Sequence, residues 1–133
     1  MRYQLEFPRN KVVLCVHVDQ QLTDKNMEMY YGREHMDTAS ADPAPIWLKE
    51  MYDIDGIVGM SFIQRYELHI EKAKVFSWDD LAPQIVEILR RYLSPEGEAT
   101  ETAEPKRWTA ADELEYQRSE RMWAGLDSVF GED

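Results

Sequence analysis

The clearest pattern of apolar positions in the chain is a strand at residues 11–18. Alternate residues of this stretch are aliphatic and share one face: Val12, Leu14, Val16 and Val18. The other face carries Cys15 and His17 and is also partly apolar, which favours a central strand covered on both sides. Turn-forming residues follow at 23–26, and Met27–Tyr31 is predicted to pair back as a second strand.

A first helix and a hairpin are predicted next. Asp42 is suited to cap the helix, and Gly56 suits the turn after it. The apolar stripe of this helix is Ile46, Trp47, Met51 and Ile54. Residues 57–63 and 66–72 then read as two strands joined across Gln64-Arg65. In the second strand apolar Tyr66, Leu68 and Ile70 alternate with Glu67, His69 and Glu71, as a sheet with one wet face requires.

A second helix begins at Ser77, with Asp80 in a capping-box position. Its predicted buried stripe is Leu81, Ile85, Ile88, Leu89 and Tyr92. Strands grouped in hairpins with helices over one face indicate an α+β domain, of order β-β-α-β-β-α and mostly antiparallel, at residues 1–93.

The composition changes at residue 94. Residues 94–107 carry no large apolar side chain and several acids, so they are predicted to be a flexible acidic linker. Residues 108–133 are predicted to form a C-terminal helical segment. Thr109 is suited to cap its helix at about 110–124, and Gly125 is expected to weaken or end that helix.

The charge of the chain narrows the choice of partner. The 133 residues contain 15 Lys and Arg against 26 Asp and Glu, a net charge of −11. Such a chain repels phosphate backbones, so no nucleic acid is expected as a partner. No apolar run approaches the roughly 20 residues that span a bilayer, and the N-terminal sequence does not resemble a secretory signal. We therefore expect no membrane partner and a cytoplasmic protein.

Residues 46–93 resemble the N-terminal domain of Nfu/NifU-type iron–sulfur scaffold proteins. The family's helix end and Ile-acid-Gly-Val turn match MYDIDGI at 51–57, and its second hairpin strand matches YELHIEK at 66–72 with one extra residue. Its Trp-x-x-Leu-x-Pro-x-Ile motif matches WDDLAPQI at 78–85. The resemblance implies the α+β fold. Whole Nfu proteins hold their cluster with a CxxC motif in another domain, and this chain has one cysteine, so the resemblance implies an adaptor that carries no cofactor.

Metal chemistry is the alternative function. Cys15 and His17 share one face of a strand, and both residue types bind zinc or iron. Two ligands are too few for a site, and a buried inert thiol with a solvated or backbone-bonded histidine explains the pair as well. His35, between Glu34 and Asp37, could add acid–base or metal chemistry or could simply be exposed. No triad order or nucleophile elbow is present, so no enzyme and no catalytic residue is predicted.

The last segment carries the candidate partner-binding residues: Trp108, Met122, Trp123, Leu126 and Phe130. Its helix could fold back on the open face of its own sheet, lie in a partner's groove, or remain disordered. The function expected from the sequence is protein docking, in iron–sulfur cluster assembly or delivery. A general interaction module that shares only the fold is a further alternative.

Overall fold

The structure is a computed structural model that describes residues 1–23, 28–30 and 46–130, and it confirms the α+β class. The described strands are β1 (Arg2–Phe7), β2 (Val13–Val18), β3 (Glu28–Tyr30), β4 (Ile57–Gln64), β5 (Glu67–Lys72), β6 (Thr100–Glu101) and β7 (Lys106–Arg107). The described helices are α1 (Ile46–Tyr52), α2 (Trp78–Leu93) and α3 (Ala110–Phe130). The sheet has the order β3-β4-β5-β2-β1-β6, and β7 also pairs with β1.

The core lies between one face of this sheet and helices α1 and α2. Strands β2 and β5 are antiparallel neighbours, and their register places Leu14 opposite Ile70 and Val16 opposite Leu68. The helices add their own apolar stripes: Leu48 and Met51 from α1, and Leu81, Ile85 and Leu89 from α2. Each such fully buried side chain stabilises the fold by about 1.5–3 kcal/mol relative to exposure.

Helix α2 forms largely as its sequence predicts. The Asp79 backbone N–H donates to the Ser77 hydroxyl (3.2 Å), which caps the helix. Its predicted stripe is buried except for Tyr92, which is 40% exposed and donates its hydroxyl hydrogen to Glu50 (2.8 Å). Trp78 is also buried, and its indole N–H donates to the Lys11 carbonyl (3.1 Å).

Helix α1 differs from its prediction at two positions, and the first is Ile54, which is buried but lies beyond the end of the helix at Tyr52. Ile46 is exposed, because the side chains that face the core are those of Trp47, Leu48 and Met51. Trp47 meets Phe62 of β4 edge to face, with 5.9 Å between the ring centres. Asp42, the predicted cap, lies outside the described residues.

Three features of the strands differ from the sequence prediction. The predicted second strand does not pair back on β2, because β3 instead pairs antiparallel with β4. The β4–β5 turn falls at Arg65-Tyr66, one residue later than predicted. Strand β1 was not predicted, because its short alternating pattern contains charged and polar residues.

Residues 100–107 differ from the predicted flexible linker. Strands β6 and β7 pair in parallel with successive parts of β1. The Thr102 backbone N–H donates to the Tyr3 carbonyl (2.8 Å), and the Trp108 N–H donates to Phe7 (3.2 Å). These bonds use only backbone groups, which is why a criterion based on apolar side chains missed them.

Helix α3 begins where Thr109 predicts. The Asp112 N–H donates to the Thr109 hydroxyl (3.1 Å), and the Thr109 N–H donates to the Asp112 carboxylate (2.9 Å). This reciprocal pair satisfies two N–H groups of the helix start. Gly125 does not end the helix at about residue 124, because α3 continues to Phe130, and its predicted weakening of the helix stays a prediction. A helical glycine costs only about 1 kcal/mol relative to alanine.

Within the described part of the chain, no helix combines the length and the apolar character needed to cross a bilayer.

We predict that Gly56→Ala destabilises the domain by at least about 2 kcal/mol. Gly56 has a φ of +100°, and an added Cβ would lie 2.5 Å from Cγ of Phe76. The left-handed backbone costs a non-glycine residue about 1–2 kcal/mol, and the clash adds to this cost. Denaturant unfolding measures the loss. Gly97→Ala is the control, because its Cβ would lie no nearer than 3.4 Å to Ser94, and equal losses in both variants would contradict the prediction.

Candidate functional site

On the sheet face away from the helices, five metal-binding side chains of the described residues lie close together. They come from three adjacent strands and are called here the open-face cluster: Glu6, Cys15, His17, Glu67 and His69. The strand register brings them together, since Cys15 lies opposite Glu6 on β1 and opposite His69 on β5. Residues at alternate positions share a face, so His17 and Glu67 join the same surface.

A chain of polar contacts runs from the thiol to a carboxylate. The Sγ atom of Cys15 lies 3.6 Å from Nδ1 of His69, and Nε2 of His69 lies 3.0 Å from Oε1 of Glu67. Because an ionised carboxylate only accepts hydrogen bonds, the neutral ring carries its proton on Nε2. The unprotonated Nδ1 therefore faces the thiol.

The second histidine of the cluster is held between two carboxylates. Nε2 of His17 lies 2.7 Å from Oε1 of Glu6 and 3.7 Å from Oε1 of Glu67. Glu67 therefore approaches both histidines, and its side chain is less exposed than that of Glu6 or His17. The prediction of a solvated or metal-binding His17 is refined to a partly exposed, carboxylate-bonded ring.

Cys15 is buried, with 4% of the residue's surface exposed. Burial, reinforced by the negative charges of Glu6 and Glu67, raises its pKa from 9.0 to about 12. The thiol thus stays protonated at neutral pH, which disfavours a nucleophilic role in spite of the neighbouring His69 and Glu67. The prediction that Cys15 is buried is confirmed.

The cluster contains two groups of three residues whose ligand atoms all lie within 4.8 Å of one another. One group is Cys15, Glu67 and His69, and the other is Glu6, His17 and Glu67. Sequence reasoning counted too few ligands because it considered β2 alone. The alternating pattern Glu67-x-His69 on the polar face of β5 was a usable signal. If β5 pairs antiparallel with β2, this pattern lies beside Cys15-x-His17.

The start of α3 contacts the β1–β2 loop. Arg9 makes two hydrogen bonds to the Glu113 carboxylate, at 3.0 and 3.1 Å, and its guanidinium carbon lies 4.2 Å from the centre of the Tyr116 ring. The Trp108 indole N–H donates to the same carboxylate (2.8 Å). These hydrogen bonds, of which that from Arg9 has the largest effect, lower the pKa of Glu113 and favour its charged form.

Beyond this contact, α3 presents apolar side chains to solvent. Leu114, Met122 and Trp123 are 59%, 59% and 61% exposed, and Trp108 is 38% exposed. The structure does not place the predicted partner-binding residues Met122 and Trp123 on the sheet, whereas Trp108 lies beside Phe7 of β1. Leu126 and Phe130 lie within α3, but the structure does not describe their side chains. His35 and its neighbours lie outside the described residues.

Comparison with known proteins shows the fold. The chain is similar to the crystal structure of Staphylococcus aureus protein SAV1430, with a TM-score of 0.54 and 10% identity over 67% of this chain and 99% of that one. The solution structure of SAV1430 has a TM-score of 0.48 and 9% identity over 64% of this chain and 85% of that one. The solution structure of SeR13 from Staphylococcus epidermidis has a TM-score of 0.45 and 17% identity over 66% of this chain and 93% of that one.

No protein-family model and no curated protein matches the chain. The similarity to the SAV1430 crystal structure spans nearly all of that protein and two thirds of this chain. At this identity the similarity establishes the fold alone.

We predict that native Cys15 resists alkylation. A rise of its pKa from 9.0 to about 12 lowers the thiolate fraction at pH 8 by about a thousandfold, and the thiolate is the reactive form. Mass spectrometry after timed exposure to iodoacetamide should therefore show a reaction far slower in native than in denatured protein. The chain has no other cysteine, so the denatured protein is its own control, and equal rates would contradict the prediction.

Proposed function

We propose that this chain is a non-catalytic docking domain that presents α3 to a protein partner. The observation that carries the proposal is the exposure of Leu114, Met122 and Trp123, each at about 60%, on a helix of 21 residues. Tryptophan is among the residues most enriched at the energetic centres of protein interfaces. A partner with an apolar groove would remove Met122 and Trp123 from water, whereas Leu114 lies about 180° around the helix from Trp123 and would stay outside that groove.

The physics of isolated helices supports this proposal. The described contacts that anchor α3 to the domain are close to its start: Arg9 contacts Glu113 and Tyr116, and the Trp108 backbone N–H donates to the Phe7 carbonyl. Exposed ion pairs such as Arg9–Glu113 add little to the stability of a fold. A helix in water is marginal without tertiary packing. Binding of the exposed residues to a partner would supply that packing.

The charge of α3 limits the chemistry of the partner. Residues 110–130 contain five acids and two bases: Asp112, Glu113, Glu115, Glu120 and Asp127 against Arg118 and Arg121. An apolar groove with a basic rim complements such a helix. The shared acidity of the chain also favours association with a basic protein over association with a second copy.

The resemblance of residues 46–93 to the N-terminal domain of Nfu/NifU-type scaffolds makes iron–sulfur assembly proteins the first partners to test. The chain has one cysteine and therefore no CxxC motif, so its proposed part in that pathway is docking and not cluster carriage. A role as an interaction module outside iron–sulfur chemistry is the alternative if these proteins do not bind.

We predict that Trp123→Ala weakens binding to a CxxC-bearing Nfu/NifU-type scaffold from the same host by about tenfold or more. Truncating a central aromatic residue typically costs an interface about 2 kcal/mol or more. Isothermal titration with the full chain measures the dissociation constant. Gln117→Ala is the matched control, because its side chain lies about 120° around the helix from Trp123.

Two results would contradict this proposal. Equal affinities of the Trp123 and Gln117 variants would remove α3 from the interface, and absence of binding by the unmodified chain would remove these scaffolds as partners. Reconstitution with iron and sulfide gives an independent check. A stable cluster on the monomer, seen in its absorbance spectrum, would replace the adaptor assignment with a cluster-carrying one.

A further inference from the structure

The open-face cluster is not used by the proposed docking helix. Its five side chains lie on β1, β2 and β5, and the described interactions of α3 do not include them. We propose that Cys15, His69 and Glu67 bind a divalent ion of the zinc class, with His17 and Glu6 beside it. This site does not depend on the proposed docking function.

The distance between the sulfur ligand of Cys15 and the nitrogen ligand of His69 fits a bound ion. Zinc binds sulfur at about 2.3 Å and imidazole nitrogen at about 2.1 Å, so a tetrahedral ion separates the two atoms by roughly 3.6 Å. Sγ of Cys15 and Nδ1 of His69 are 3.6 Å apart. An ion can therefore bind both atoms with little movement of either strand.

The tautomer of His69 is the one that such a site needs. Its Nε2–H donates to Glu67 at 3.0 Å, which leaves the lone pair of Nδ1 directed towards Cys15. The ligand atoms of Cys15, His69 and Glu67 lie within 4.8 Å of one another, so a turn of the Glu67 side chain away from Nε2 brings its carboxylate to an ion on Nδ1. Solvent then accepts the freed Nε2–H, as water commonly does for metal-binding histidines.

The charge of the cluster also favours a cation. Glu6 and Glu67 bring two negative charges, and among the described residues their ion pairs are only with His17 and His69. With neutral imidazoles, no lysine or arginine in the described part of the chain balances these carboxylates. A divalent ion would do so, and its binding to Cys15 releases the thiol proton to solvent.

The donor set selects the kind of ion. A thiolate and an imidazole favour zinc and similar transition metals, whereas magnesium and calcium prefer oxygen ligands. Cys15 is buried beside His69 and Glu67, whose side chains are partly exposed. An ion can therefore reach the site from solvent past these two side chains. Three protein ligands at an exposed surface leave one position for water or for a donor from another molecule.

The test is a titration of the untagged full chain with Co²⁺, which reports thiolate binding by a charge-transfer band in the near ultraviolet. We expect one ion per chain, displacement by Zn²⁺, and no displacement by Mg²⁺. Cys15→Ala should remove the band, and Glu67→Gln should weaken binding by about 10–100-fold. Glu71→Gln is the matched control on the same strand and face, and it should bind as the unmodified chain does.

Absence of the band in the unmodified chain would overturn the proposal, and so would equal affinities of the Glu67 and Glu71 variants. If Cys15→Ala fails to fold, backbone amide NMR spectra of the unmodified chain decide the matter. Shifts on adding Zn²⁺ that centre on residues 15, 67 and 69 would support the site, and shifts confined to other residues would refute it.

Discussion

The antiparallel pairing of β2 with β5 is the constraint on which the rest of the structure depends. One register sets two surfaces, because Leu14 and Val16 meet Ile70 and Leu68 on the helix side while Cys15 meets His69 on the other. A slip of one residue would turn every side chain of a strand to the opposite face. The hydrophobic core therefore holds the polar cluster in place, and the cluster needs no loop to position it.

The sequence predicts this fold well where side chains decide it. The alternation of β5, the Ser77 and Thr109 caps and the stripe of α2 are all visible as patterns, and the α+β class follows from them. The sequence predicts poorly where the backbone decides. Residues 100–107 pair with β1 through N–H and carbonyl groups that every sequence carries, so no residue pattern reveals that pairing.

The candidate site could be predicted only in part for a related reason. Cys15 and His17 share a strand and were recognisable together, whereas His69 and Glu67 lie more than 50 residues further along and join them through strand order. The sequence of neither strand alone shows that the two strands pair. The exposed residues of α3 were recognisable by type, but their exposure depends on which surface the helix contacts.

The edge strands also affect how the chain is made. Strand β1 pairs on its inner edge with β2, which follows within about ten residues, but its outer edge pairs with residues 100–107. During synthesis from the N-terminus, that outer edge must stay open until almost the entire domain has left the ribosome. An unpaired edge can recruit strands from other nascent chains. The two short parallel strands thus close the domain at the last stage of its synthesis and end the period in which β1 is open to aggregation.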